Sequence, residues 1–165
     1  MTRLHVPVNT RWSDLDAYQH VNNVEMFRIL EEARITAFWR HSPDEVGEDW
    51  PTAILETGPR SSSHTFVAGQ QIDYLRPLGF TRQPVRVELW IGDIGGASLQ
   101  VCYEVHDGAP GGFPRSAPAS GHEPYVRALT TIVVVDAASG RPRRITDAER
   151  AAWADYQEPP VVFRR

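Results

Sequence analysis

The chain has 165 residues, 41% of them apolar and 23% charged, with a formal net charge of −4. Such a length and balance describe one globular domain, residues 1–165, able to bury its own core without disulfide or metal staples. A mildly acidic chain with dispersed arginines lacks the basic footprint of a nucleic-acid binder, so nucleic acid is excluded as a first choice of partner.

No stretch approaches the ~18 apolar residues of a membrane span, and the N-terminal MTRLHVPVNTRW lacks the apolar core of a secretion signal. The single cysteine, Cys102, cannot form an internal disulfide, which suits a reducing compartment. A cytoplasmic protein without membrane insertion is therefore expected. Cys102 lies in an apolar alternating run, which reads as a buried structural thiol rather than a nucleophile.

From Leu4 to Thr10 apolar and polar residues alternate, which predicts a first strand, with Pro7 marking an edge position. Ser13 to Asn23 is polar and irregular. Asn22 or Asn23 then opens a helix as a favoured N-cap. The helix is expected to run from about Asn23 to Arg40, with Val24, Phe27, Leu30, Ala33 and Ala37 as an apolar stripe widened by Met26, Ile29 and Phe38. Glu25, Arg28 and Glu32 occupy the remaining face, and the helix should end near His41-Ser42-Pro43.

After an acidic connection come a short apolar run, Pro51 to Glu56, and a Ser-rich turn, Gly58 to His64. Strands are expected over Thr65–Leu75, Val85–Ile94, Ala97–His106 and Tyr125–Asp136, with Gly95-Gly96 turning a hairpin. Asp107 to Glu123 is long for a compact domain and poor in aromatic anchors beyond Phe113, so a mobile loop is expected. Thr146 and Glu149 match a capping box for a short helix, Asp147 to Asp155. Pro159-Pro160 begins a non-helical tail, and Arg164 and Arg165 should form a solvated end. One strand, one long helix and at least four antiparallel strands make an α+β protein, most simply a long central helix wrapped by one curved sheet.

The stretch Asp14-Leu15-Asp16-Ala17-Tyr18-Gln19-His20-Val21-Asn22-Asn23, followed by Leu30-Glu31-Glu32-Ala33-Arg34, resembles the 4-hydroxybenzoyl-CoA thioesterase family of hotdog proteins. Within it the pattern is similar to the long-chain acyl-CoA thioesterase branch. Ile72-Asp73-Tyr74-Leu75-Arg76-Pro77-Leu78, and Ala128–Asp136 with Ser139-Gly140-Arg141-Pro142, resemble later landmarks of the same family. The likeness spans roughly residues 9 to 145. The Gly58–His64 turn, Met26-Phe27 at the helix start and the Asp107–Glu123 loop depart from the family pattern.

This resemblance implies a hotdog fold, acyl-CoA thioester hydrolysis and a homodimer or homotetramer, with no cofactor. It places the catalytic carboxylate at Asp16, as nucleophile or general base, and the carbonyl-polarising N–H groups near Asn22 and Asn23. The chemistry fits, because thioester hydrolysis needs a base or nucleophile at the carbonyl carbon and donors aimed at its oxygen, and a helix N-terminus offers unpaired N–H groups. From local sequence alone both Asp14 and Asp16 read as turn formers, and Asp14 keeps that reading. His20 either orients the carboxylate or substrate or makes a structural hydrogen bond.

Glu31, Glu32 and Arg34 lie two or more turns beyond the presumed oxyanion site and read as helix-surface or interface ion pairs. No metal-ligand spacing stands out among the six histidines. For the CoA phosphates the candidate cations are Arg60, Arg76, Arg82 and Arg143, with Arg144 beside them. Rival readings are an aryl-CoA or acyl-carrier-protein thioesterase, a non-catalytic acyl-binding protein, and an enoyl-CoA hydratase. The hydratase would need an Asp/His pair on a differently placed helix, which this segment lacks.

Overall fold

A computed structural model describes residues 1–41 and 50–164. The elements are β1 (Arg3–Val8), α1 (Asn23–Phe38), β2 (Ser63–Tyr74), β3 (Val85–Ile94), β4 (Ser98–His106), β5 (Ser116–Ala117), β6 (Val126–Asp136) and α2 (Asp147–Trp153), with short 3-10 turns at Trp12–Asp14 and Ala154–Tyr156. The strands form one six-stranded sheet in the order β2-β6-β4-β3-β1-β5, and every pairing is antiparallel.

Period-two alternation gives this sheet two distinct faces. Leu4, Val6, Val87, Leu89, Val101 and Val105 are fully buried on the inner face. There they meet the α1 residues Met26, Ile29, Leu30, Ala33, Ala37 and Phe38, and Trp153 of α2 packs edge-on against Phe38. Each side chain of this size contributes about 1.5–3 kcal/mol on burial. The expected stripe on α1 is rotated: Val24 is 68% exposed and Phe27 half-buried, while Met26, Ile29 and Phe38 are central.

Helix α1 runs for 16 residues and starts where Asn22 accepts the Val24 N–H. At its far end the Ala37 carbonyl accepts the Thr52 hydroxyl, the Phe38 carbonyl accepts the Leu55 N–H, and Trp39 bridges Leu55. The short apolar run Pro51–Glu56 thus satisfies carbonyls that a helix C-terminus leaves without partners. It ends the helix two residues before the expected Arg40. The expected stop at Ser42-Pro43 and the acidic connection lie outside the described residues.

The outer face differs from a solvated surface. Arg3, His5, Arg86, Glu88, Glu104, His106 and Arg127 line up there, and Glu88, His5 and His106 are almost completely buried. Two coverings bury them. The first is the 107–123 segment, expected as a mobile loop, which instead docks: β5 pairs with Arg3–Leu4, the Phe113 ring meets His5, and Ser120 N donates to Glu88. The physical reason is that a buried layer of charge must be hydrogen-bonded and sealed. The second covering is the tail, where Glu158 N donates to the Ile91 carbonyl, Trp90 Nε1 to the Pro159 carbonyl and Arg164 N to Asp73. Arg164, expected in a free solvated end, is therefore anchored through its backbone, and Arg165 lies outside the described residues.

The 107–123 segment begins with a close approach. A Cβ on Gly108 would sit 2.0 Å from the Pro84 carbonyl oxygen. Gly108→Ala is therefore expected to push the segment off β3 and cost about 1–3 kcal/mol, read from the urea midpoint. An unchanged midpoint would contradict that approach. The capping box at α2 forms as expected, with Thr146 and Glu149 bonding each other's backbone N–H groups.

Candidate active site

Between the Trp12–Asp14 turn and α1 the chain makes a tight loop closed by a Leu15–Val21 bridge. Asp16 N donates to the His20 carbonyl and Gln19 N to the Asp16 carbonyl. That closure puts Gln19 at φ 66, the left-handed region that few side chains enter. The Asp16 carboxylate sits at the mouth of this loop, half-buried, with Oδ1 accepting from Tyr18 N at 2.8 Å and His20 N at 3.2 Å. Among the described residues Oδ2 has no hydrogen-bond partner. The loop thus engages one carboxylate oxygen in turn hydrogen bonds and leaves the other open among the described residues.

Asp14 closes the Trp12–Asp14 turn, as expected of a turn former, but it is also buried in an ion-pair network. It is fully buried and accepts from Arg11 N at 2.6 Å, Arg11 Nε at 2.9 Å and Arg28 Nη2 at 2.7 Å. Burial alone would raise its pKa, but the bonds from Arg11 and the charge of Arg28 outweigh burial and hold it below the ordinary value. Its carbonyl accepts the Asn22 N–H at 2.8 Å. Asp14 therefore clamps the loop onto α1.

That bond changes the inventory of donors at the helix start. Asn22 N is committed to Asp14, Val24 N to the Asn22 side chain and Met26 N to the Asn22 carbonyl. Among the described residues Asn23 N and Glu25 N have no acceptor, so they are the donors available to a carbonyl oxygen. Tyr74 of β2 donates its hydroxyl to the Asn23 carbonyl at 3.1 Å, tying β2 to the same end. The His20 side chain is exposed and makes no hydrogen bond among the described residues.

Two separate concavities lie along α1. One, near the helix start, is lined by Val21, Met26, Tyr74 and Leu78. The other, near its far end, is lined by Ile35, Phe38, Leu55, Val67 and Ile132, with Glu31 and Arg34 beside them. Glu31 and Glu32 point outward, with side chains 58% and 50% exposed, as expected. Arg34 does not: it is buried and donates to the Tyr103 hydroxyl at 3.2 Å inside the core.

The candidate CoA cations divide between the two ends of β2. Arg76 follows the β2 end nearest α1's start and stacks on the Tyr125 ring. Exposed Arg82 lies in the neighbouring Thr81–Gln83 turn. Exposed Arg60 precedes the opposite end of β2. Arg143 is at that opposite end too, bonded to Ser63 Oγ at 2.6 Å and to both oxygens of Glu149. Arg144 beside it contributes its carbonyl to the same guanidinium.

Sequence spacing missed the outer-face cluster. Potential ligand atoms of Glu88, Glu104 and His106 lie within 4.8 Å of one another, because these residues come together only across paired strands. The carboxylates already hold guanidinium groups: Arg3 bonds both, Arg127 bonds Glu104, and Arg86 lies 3.4 Å from Glu88. Burial would raise the Glu104 pKa, yet His106, Arg127 and Arg3 bring it down to about 2. Charge is compensated without a metal ion, and none is assigned. Cys102 is buried against this face, and burial pushes its thiol up to about 11, which suits a structural thiol.

A sequence model of the thioesterase-like superfamily matches residues 10–153. The chain belongs to that family, and its all-antiparallel sheet with few helices is the hotdog fold. Similar solved structures include the PA5185 protein of Pseudomonas aeruginosa strain PAO1, 23% identical with a TM-score of 0.69 over 95% of this chain and 93% of that one. A predicted thioesterase from Bacillus stearothermophilus is 20% identical, with a TM-score of 0.69 over 96% and 99%. A thioesterase from Thermus thermophilus, solved with coenzyme A and Zn, is 26% identical, with a TM-score of 0.64 over 96% of each chain. The uncharacterized protein YsmA of Bacillus subtilis is 29% identical over 96 residues, which span 58% of this chain and 56% of that protein. Among the described residues no helix is long and apolar enough to cross a membrane.

Proposed function

We propose that the chain is a cytoplasmic acyl-CoA thioesterase that hydrolyses fatty acyl-CoA to the free acid and CoA, as in the long-chain branch. The observation that carries this reading is the half-buried Asp16 carboxylate, with one oxygen unbonded among the described residues, beside an α1 start where, among those residues, Asn23 N and Glu25 N have no acceptor. In this mechanism the thioester oxygen lies against those N–H groups, which stabilise the charge that develops on it. Asp16 either attacks the carbonyl carbon, forming a mixed anhydride that water then cleaves, or takes a proton from the attacking water. Both routes expel CoA thiolate, which is protonated on release.

In this reading the acyl chain runs along α1 from the concavity at its start towards the one at its far end, and the apolar residues lining both support a fatty acyl group. Coenzyme A in the Thermus thermophilus relative supports CoA as the carrier. In this reading the sheet curves around α1, which serves as the long central helix of the fold. The test is a thiol-release screen across acyl-CoA chain lengths, aryl-CoAs and acyl-carrier-protein thioesters. Highest kcat/KM on fatty acyl-CoA is expected. An aryl-CoA or carrier-protein optimum moves the substrate assignment to that class, and no thiol release from any of them removes the enzyme reading.

We further propose a homodimer, or a tetramer built from it, that pairs β2 edge to edge. Strand β2 ends the sheet, is 12 residues long, and exposes Phe66 and Val67 by 57% and 46%. A long apolar edge must be covered or paired. Antiparallel pairing would bring the partner's β2 start, with its flanking cations, towards this chain's α1 start. This keeps Arg60 and Arg143 among the CoA-binding candidates. Phe66→Glu is expected to weaken the dimer at least about a hundredfold, since the exposed ring is lost twice per dimer. Sedimentation of both proteins measures it, and a parent monomeric at micromolar concentration would count against the edge.

A further inference from the structure

The sheet end that carries α1's start has a second concavity on its outer side, lined by Arg76, Arg86, His106, Asp107, Gly108 and His122. Arg86 and His106 face each other across β3 and β4, Arg76 comes from the chain leaving β2, and the docked 107–123 segment supplies the rest.

Its two guanidinium groups differ from those that other arginines lock onto carboxylates. Arg3, Arg28, Arg127 and Arg143 each donate close hydrogen bonds to carboxylates. Arg76 instead stacks on Tyr125 and reaches Asp107 only at 3.4 Å. Arg86 has Nε 3.4 Å from Glu88, a carboxylate it shares with Arg3, His5 and His106. Among the described residues both Nε atoms are buried without a hydrogen-bond partner. A buried unpaired donor is costly, and native structures seldom tolerate one without a role. Here two belong to side chains lining one opening. An oxyanion rich in acceptors fits them, since the guanidinium fork matches phosphate geometry and charge.

Arg76 also lines the concavity at the helix start, beside Val21, Met26 and Tyr74. One residue therefore joins the thioester site to the basic pocket around the end of the sheet. We propose that this pocket binds the phosphates at the nucleotide end of CoA, with Arg76 and Arg86 as the principal contacts and His106 and His122 at its sides. The inference rests on the thioesterase reading: the thioester lies at α1's start and the pantetheine arm passes Arg76.

Calorimetric titration of the full chain with adenosine 3′,5′-bisphosphate tests the pocket without requiring hydrolysis. The parent is expected to bind it, and Arg76→Gln and Arg86→Gln each to weaken binding about tenfold or more, the loss of a charge-assisted bond. Arg76 is the more exposed of the two, so Arg76→Gln serves if Arg86→Gln does not fold by melting temperature. In kinetics, the preference for an acyl-CoA over the N-acetylcysteamine thioester of the same acid should fall at least tenfold, through KM. Thioester hydrolysis without bisphosphate binding, or with equal binding by the variants, overturns the pocket and leaves the enzyme reading standing. Bisphosphate binding without hydrolysis of any thioester supports the pocket and removes that reading. Inorganic phosphate bound as tightly as the bisphosphate marks a free-phosphate site and overturns the assignment to CoA.

Discussion

Asp16→Asn is expected to lower kcat for the best acyl-CoA by a factor on the order of 10²–10⁴, the scale of a lost general base or nucleophile. Asparagine retains an Oδ1 acceptor for the Tyr18 and His20 N–H groups, so the loop should keep its shape while the carboxylate charge disappears. Melting temperature and oligomer size should therefore match the parent. Glu32→Gln serves as the comparison. Its side chain is half exposed and paired with Arg28, so turnover should stay within a few-fold. Near-parental turnover in Asp16→Asn, with loss in Glu31→Gln or Glu32→Gln, would move the reacting carboxylate onto the helix.

Asp14→Ala should do the opposite, costing stability first and activity as a consequence. Removing a fully buried partner of an ion pair costs about 3–5 kcal/mol. The low end is expected here because Arg28 retains Glu25 and Glu32. Urea denaturation measures the loss, and a change below about 1 kcal/mol would show that the clamp is not what holds the loop. Acid should act on this group and on the separate outer-face cluster. Asp14 and Glu104 both have folded-state pKa values below their unfolded ones, so their contribution is complete above the unfolded values and is lost as pH falls through the folded ones. For Glu104 that window runs from 4.5 down to about 2, on the order of 3 kcal/mol. Stability should fall across it, and Glu104→Gln should flatten that part of the profile.

Patterns carried by neighbouring residues were legible in the sequence. Alternation, apolar runs and Gly and Pro breaks located all four long strands that follow α1 to within two residues at each end, and local capping chemistry placed the starts of α1 and α2. The stretch from Asp14 to Asn23 drew attention to Asp16 through its resemblance to the thioesterase family, which could be seen because loop, cap and helix start are contiguous in the chain. How each aspartate is held there depended on hydrogen bonds. Asp14 and Asp16 look alike in sequence, yet one is sealed against Arg28 and the other holds an open oxygen.

What the sequence could not determine was anything made by pairing across strands or by a segment folding back. The outer face of β3 reads as a polar alternation, but strand register sets Glu88 opposite His5 and Glu104, and a segment expected to be mobile covers them. The anchored tail and buried Arg34 have the same origin, since their partners Asp73 and Tyr103 lie 91 and 69 residues away. Local propensity and periodicity are written in steps of two to four residues, so the sequence determined the elements and the loop that carries Asp16. Burial of charge, the partners that hold each aspartate, and the meeting of Arg76 and Arg86 at one concavity required contacts beyond local sequence, which only the tertiary structure supplies.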